Sequence, residues 1–166
     1  LAESKEMATT SQVTVGQFLE TFKKLLDEGK DVLYMGMSKG LSATMDSAAQ
    51  AKRELGDPEN LIIMDSRLVS MALTLMVLEV ARAMETGATL DECYQVAQDA
   101  YPRIGVYFTV DTLEYLHRGG RINTAKRLLG SALDLKPIMM IREGKIELVE
   151  SVRSQKKALN RMVELI

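Results

Sequence analysis

Two short apolar runs, Val32-Leu-Tyr-Met-Gly-Met37 and Leu61-Ile-Ile-Met64, each lead through polar residues into a stretch with helical periodicity. This recurrence constrains the fold more than anything else in the chain. Each run is apolar enough for a buried strand. The order helix, strand, helix, strand, helix therefore predicts an α/β unit, a parallel sheet with flanking helices. The first helix opens on a capping box, Thr14 with Gln17, in which a hydroxyl and an amide reciprocally satisfy free N–H groups. Val15, Phe18, Leu19, Phe22, Leu25 and Leu26 form its buried stripe, and Gly29 ends it as a left-handed cap. A helix over 42–55 follows the first strand, and Gly56-Asp-Pro58 breaks the chain. The next helix, 68–85, is apolar around most of its circumference, which predicts deep burial. A second capping box, Thr89 with Glu92, opens a helix that runs to Tyr101-Pro102. Two strands are too few for an independent sheet, which needs about three; a further strand is expected upstream of Leu1.

The texture changes after Tyr101-Pro102. Val106-Tyr-Phe-Thr-Val110 reads as a strand, and Asp111 with Glu114 reads as the start of a short helix closed by Gly119-Gly120. A helix over 124–133 is expected next. Pro137–Ile141 and Ile146–Val152 flank Arg142-Glu-Gly-Lys145, a hairpin signal, and Ser154 caps a terminal helix. Strands joined by a hairpin belong to an α+β unit. We therefore expect an α/β domain at 1–103 and part of a second, α+β domain at 104–166. The start at Leu1 and the stop at Met162-Val-Glu-Leu-Ile166, inside an apolar helical pattern, read as a chain truncated at both ends.

Composition excludes several classes of function. A net charge of −2 argues against broad nucleic-acid binding. No apolar run approaches the roughly 18 residues needed to cross a bilayer, and the polar start lacks a signal peptide pattern. The lone Cys93 permits no intrachain disulfide and fits a cytoplasmic setting. The lone His117 has no neighbouring ligand for zinc, so neither a metal nor a cofactor is expected. Neither a Gly-x-Ser-x-Gly elbow nor a P-loop pattern is present. Eleven methionines and no tryptophan fit either a soft core or a cavity for a flexible apolar ligand.

Three clusters could carry chemistry. Met37-Ser-Lys-Gly-Leu-Ser-Ala-Thr44 joins a strand to a helix through hydroxyls and a glycine, which is how an α/β protein builds an anion site. Ser38, Ser42 and Thr44 offer rotatable donors, and Gly40 allows close backbone approach; the same residues also serve as ordinary loop and cap residues. Thr9-Thr-Ser-Gln12 is either loop and cap chemistry or a second set of hydroxyls facing the first. Arg118, Arg121, Lys126 and Arg127 surround a double glycine, forming either a solvated face or a turn on which guanidiniums converge on an anion.

Together these stretches resemble the DegV family of bacterial fatty-acid-binding proteins. The resemblance rests on Thr10-Ser-Gln12, the Ser38-Lys-Gly-Leu-Ser42 loop, Met64-Asp-Ser66 and the long stretch Phe108 to Ile122. It continues through Lys136-Pro137-Ile138, Gly144 and Val152-Arg153 with Lys156-Lys157. It implies a protein that holds a long-chain fatty acid in an apolar tunnel, with Thr10 and Ser42 on the carboxylate and Ser11 and Ser38 nearby. It further implies a carrier, not an enzyme, that presents the acid to a fatty acid kinase subunit for acyl-phosphate formation in phospholipid synthesis. Arg118, Arg121, Lys126 and Arg127 are the candidates for docking that kinase. Lys39 and Ala43 depart from the family's usual loop, and the family's amino-terminal Asp-Ser-Thr and carboxy-terminal histidine motif have no counterpart here. The rival reading is a phosphotransferase or small-anion enzyme, with Asp46 or Asp65 as its base. A regulatory domain for a non-lipid ligand is a third.

Overall fold

The structure is a computed structural model that describes residues 9–129 and 135–166. Helix α1 (Val15–Asp27), strand β1 (Val32–Gly36), helix α2 (Thr44–Glu54), strand β2 (Leu61–Asp65), helix α3 (Ser70–Glu85) and helix α4 (Leu90–Ala100) build the first layer system. β1 and β2 pair in parallel, Val32 opposite Leu61 and Gly36 opposite Asp65. Alternate residues point to opposite faces of a strand, and here both faces are covered. Val32 and Tyr34 pack with Phe18 and Phe22 of α1 and with Ala48 and Ala51 of α2. Leu33 and Met35 pack with Met76 and Val80 of α3 and with Cys93 and Ala97 of α4. This explains why neither strand alternates in sequence. Both capping boxes form as expected, Thr14 with Gln17 and Thr89 with Glu92, and the Thr89 hydrogen bonds hold the Glu92 carboxyl below its usual range.

One expectation fails. Helix α3 is not buried all round: Ala72, Met76 and Val80 face the core, while Met71 (66% exposed), Leu75, Leu78 and Met84 face outward. A helix against one layer can bury only the stripe that meets it, and here α4 and the two strands supply that layer.

After a 3-10 turn at Tyr101–Arg103 come strand β3 (Tyr107–Thr109), helix α5 (Glu114–Arg118), strand β4 (Lys136–Arg142), strand β5 (Lys145–Val152) and helix α6 (Gln155–Glu164). The three strands form an antiparallel sheet in the order β3-β4-β5, with a register shift between Ile138 and Met139. Glu143 and Gly144 both have positive φ, 47° and 73°, as a two-residue turn of the primed type requires. Ile122, Ala125, Met139, Ile141 and Ile146 make the core of this unit, and Val106 touches both this core and that of the first unit. Two local expectations change. The N-cap position of α5 is Leu113, not Asp111, and no side chain caps the helix; the Thr112 hydroxyl accepts from the Glu114 N–H at 3.2 Å. The helix expected over 124–133 is a 3-10 helix, Asn123–Leu128; the remainder of that expectation, 130–134, lies outside the described residues. No described helix is long and apolar enough to cross a membrane.

Candidate functional site

A cavity of about 890 Å³ opens at the carboxyl end of β1, between the two units. Its wall is built from five places. The segment before α1 contributes Thr9, Thr10, Ser11 and Val13; the edge of β1 contributes Tyr34, Met35, Gly36 and Met37; the following loop and helix contribute Leu41, Ser42 and Thr44. Leu73 of α3 and Tyr115, Leu116, Arg118, Gly119 and Arg121 from around α5 complete it. Thr10, Ser11 and Ser42, separated by some thirty positions in sequence, thus line one space. Two hydrogen bonds moor the amino-terminal segment against α2. The Gln12 amide donates to the Ser47 hydroxyl at 3.0 Å, and the Val13 N–H donates to the Thr44 hydroxyl at 3.4 Å. The Ser42 hydroxyl donates to Thr44 Oγ1 at 3.0 Å and accepts from the Thr44 N–H at 3.3 Å, which fixes its rotamer at the start of α2.

Ser38 lies elsewhere. It is fully buried, and its hydroxyl donates to the Gly144 carbonyl at 2.6 Å and accepts from the Gly40 N–H at 3.1 Å. Gly40 likewise approaches the hairpin rather than the cavity: a Cβ there would stand 2.5 Å from the Gly144 oxygen. The loop of the first unit is therefore clamped to the β4–β5 turn of the second. A second tie reinforces it. Arg67 pairs with Glu143 at 3.1 Å and lies over the Tyr101 ring, 4.8 Å from its centroid. On the cavity side the Arg121 Nε donates to the Leu41 carbonyl at 2.9 Å, and another guanidinium nitrogen donates to the Gly119 carbonyl. Arg118 pairs with Glu114 one helical turn away. Lys126 and Arg127 are exposed on the 3-10 helix and do not line the cavity.

The wall combines two kinds of chemistry. Hydroxyls (Thr9, Thr10, Ser11, Ser42, Thr44) and two arginines share it with apolar side chains (Val13, Met35, Met37, Leu73, Leu116). Among the described residues no Asp, Glu or His lines it. Asp65 holds backbone instead, its Oδ1 accepting from the N–H groups of Lys39 at 3.3 Å and Arg67 at 2.9 Å. Asp46 is exposed on α2. No group of three metal-ligating side chains occurs among the described residues.

A family model described as "Uncharacterised protein, DegV family" matches residues 1–166. The chain belongs to the DegV family. A DegV domain-containing protein of Streptomyces coelicolor is 37% identical over 164 residues, covering 98% of this chain and 58% of that protein. One from Lactococcus lactis is 36% identical, covering 99% of this chain and 59% of its own. Among solved structures, a fatty-acid-binding DegV family protein from Thermus thermophilus superposes with a TM-score of 0.90 at 32% identity, over 99% of this chain and 58% of that one. A DegV family protein from Ruminococcus gnavus, solved with vaccenic acid, gives a TM-score of 0.83 at 27% identity, over 99% of this chain and 59% of the other. The chain thus spans less than two thirds of the length of the DegV relatives it matches.

Proposed function

We propose that this DegV chain forms the headgroup end of a site for a long-chain fatty acid. The observation that carries this reading is a cavity lined both by hydroxyls (Thr9, Thr10, Ser11, Ser42, Thr44) and by apolar side chains, with no carboxylate or imidazole among its described lining residues. Its volume, about 890 Å³, falls within the roughly 300–1,000 Å³ common for ligand sites. In this reading Thr10 and Ser42 bond the carboxylate, with Ser11 beside them. Ser38 serves the loop rather than the acid, because it is fully buried, does not line the cavity and donates to the Gly144 carbonyl of the hairpin. Burying about 14 methylenes at about 0.8 kcal/mol each gives roughly 11 kcal/mol before entropy costs. Charge-assisted bonds from two hydroxyls add about 1.5–3 kcal/mol each. The acyl chain therefore supplies most of the affinity, and the hydroxyls fix its orientation and keep a carboxylate from being buried unpaired. The lack of a carboxylate or imidazole among the described lining residues favours a carrier over a phosphotransferase. Ser42→Ala is expected to reduce the fatty acid co-purifying with the protein by about tenfold, as read by native mass spectrometry and by solvent extraction. Undiminished lipid content, or a non-lipid in the extract, would count against the assignment.

A partner kinase that phosphorylates the presented acid is the second part of the proposal, in a cytoplasmic setting, with the boundary between the two units near residue 103. Lys126 and Arg127 stand clear of the cavity and can meet an acidic surface or a nucleotide phosphate without disturbing the ligand. The double variant Lys126→Glu/Arg127→Glu is expected to retain its acid while acyl-phosphate formation by the cognate kinase falls tenfold or more and loses its salt dependence. An unchanged rate would remove these residues from the docking surface.

A further inference from the structure

We propose that the Tyr34 hydroxyl is a third donor to the acid headgroup; the inference rests on the fatty-acid reading above. In sequence Tyr34 is one more large residue in a buried strand. In the fold its ring is held edge-on by Phe18, at 5.1 Å between centroids and 74°, and by Phe22, at 5.9 Å and 65°. Those contacts fix the ring without using its hydroxyl. The tip lies over Gly36: a Cβ on Gly36 would stand 2.9 Å from Tyr34 Cε1 and 3.0 Å from its Oη. Gly36 is the last residue of β1, so the hydroxyl sits at the strand end from which the Met37–Thr44 loop departs. Tyr34 and Gly36 both line the cavity, as do Ser42 and Thr10.

Among the described residues, no protein group hydrogen-bonds the Tyr34 oxygen, although the ring is half-buried. Burial raises its pKa above the usual 10.0, so the group remains an O–H donor throughout the neutral range. A carboxylate has about four acceptor positions, and two alcohols satisfy only two of them. Arg121 donates to the Leu41 and Gly119 carbonyls and Arg118 pairs with Glu114, and the donors these guanidiniums keep leave acceptor positions that a fixed phenol can also fill. A phenol fixed by two aromatic neighbours is a donor that loses little freedom on binding.

Tyr34→Phe removes the oxygen and preserves the ring contacts, so the fold should survive, as a thermal melt will verify. The probes are palmitic acid and hexadecanol, each titrated into delipidated wild type and variant. The expected result is a Kd for palmitate raised about tenfold and a preference for acid over alcohol reduced about fivefold, since bonds to a charged acceptor are about twice as strong as neutral ones. If the variant weakens both ligands equally, or neither, Tyr34 acts through packing alone and the proposal is overturned. If wild type itself fails to hold palmitate, the underlying fatty-acid reading falls and takes this one with it.

Discussion

Gly40→Ala is expected to loosen the headgroup loop and lower both stability and lipid retention, although Gly40 does not line the cavity. The added Cβ would meet the Gly144 oxygen at 2.5 Å and its carbonyl carbon at 3.3 Å. These are backbone atoms, so no side-chain rotation can relieve the overlap. The turn that carries them is held in place by the Ser38 hydroxyl at 2.6 Å and by the Arg67–Glu143 pair at 3.1 Å. Either the hairpin or the loop must move, and Ser42 lies on that loop. Overpacking of this kind costs about 1–3 kcal/mol. We expect a lowered midpoint in urea and release of bound acid at least tenfold faster. Gly16→Ala is the control: its Cβ meets nothing within 4 Å, and replacing a glycine inside α1 stabilises a helix by up to about 1 kcal/mol. A Gly40→Ala protein that melts and retains lipid like wild type would show that the loop and hairpin are independent.

Met139→Ala is expected to be the most destabilising of these substitutions. Met139 is 0% exposed, on the middle strand of the antiparallel sheet, opposite Phe108 on one side and Leu148 on the other. It also packs in the cluster containing Ile122 and Ala125, which anchors the segment just after Arg121. Truncating a buried methionine removes its transfer free energy and leaves a cavity that neighbours fill only in part, about 2–5 kcal/mol. Against a total stability of about 5–15 kcal/mol for a typical domain, that is a large fraction. Urea unfolding should show a midpoint shift well beyond that of Met71→Ala, whose side chain is 66% exposed and whose loss should stay within about 0.5 kcal/mol. Equal shifts would mean that the second sheet does not limit stability.

The exposed side of α3 shows where pattern reading stops. Met71, Leu75, Leu78 and Met84 are as apolar as Met76 and Val80, so periodicity alone could not distinguish the core stripe from the opposite side. Only the position of α4 and the strands makes that distinction. Ser38 and Gly40 teach a related lesson. A hydroxyl and a glycine at a strand end have the composition of an anion loop, yet here they face a turn more than a hundred residues later in the chain. Tyr34 was hidden for the opposite reason: an aromatic in an apolar strand reads as core, and the freedom of its hydroxyl depends on where the neighbouring rings leave it.

What the order of residues settled by itself is local and periodic: the two capping boxes, the buried strands alternating with helices and hence the parallel sheet, the hairpin turn with its glycine, and the family. These follow from short-range spacing and backbone preference, which a linear chain expresses directly. Tertiary structure alone decided that Arg118 and Arg121 line the cavity that holds Thr10 and Ser42, that Ser38 holds the hairpin, and that α3 leaves one side uncovered. Each of those facts is a meeting between segments distant in sequence, and such meetings are selected by packing and hydrogen-bond satisfaction across the whole fold.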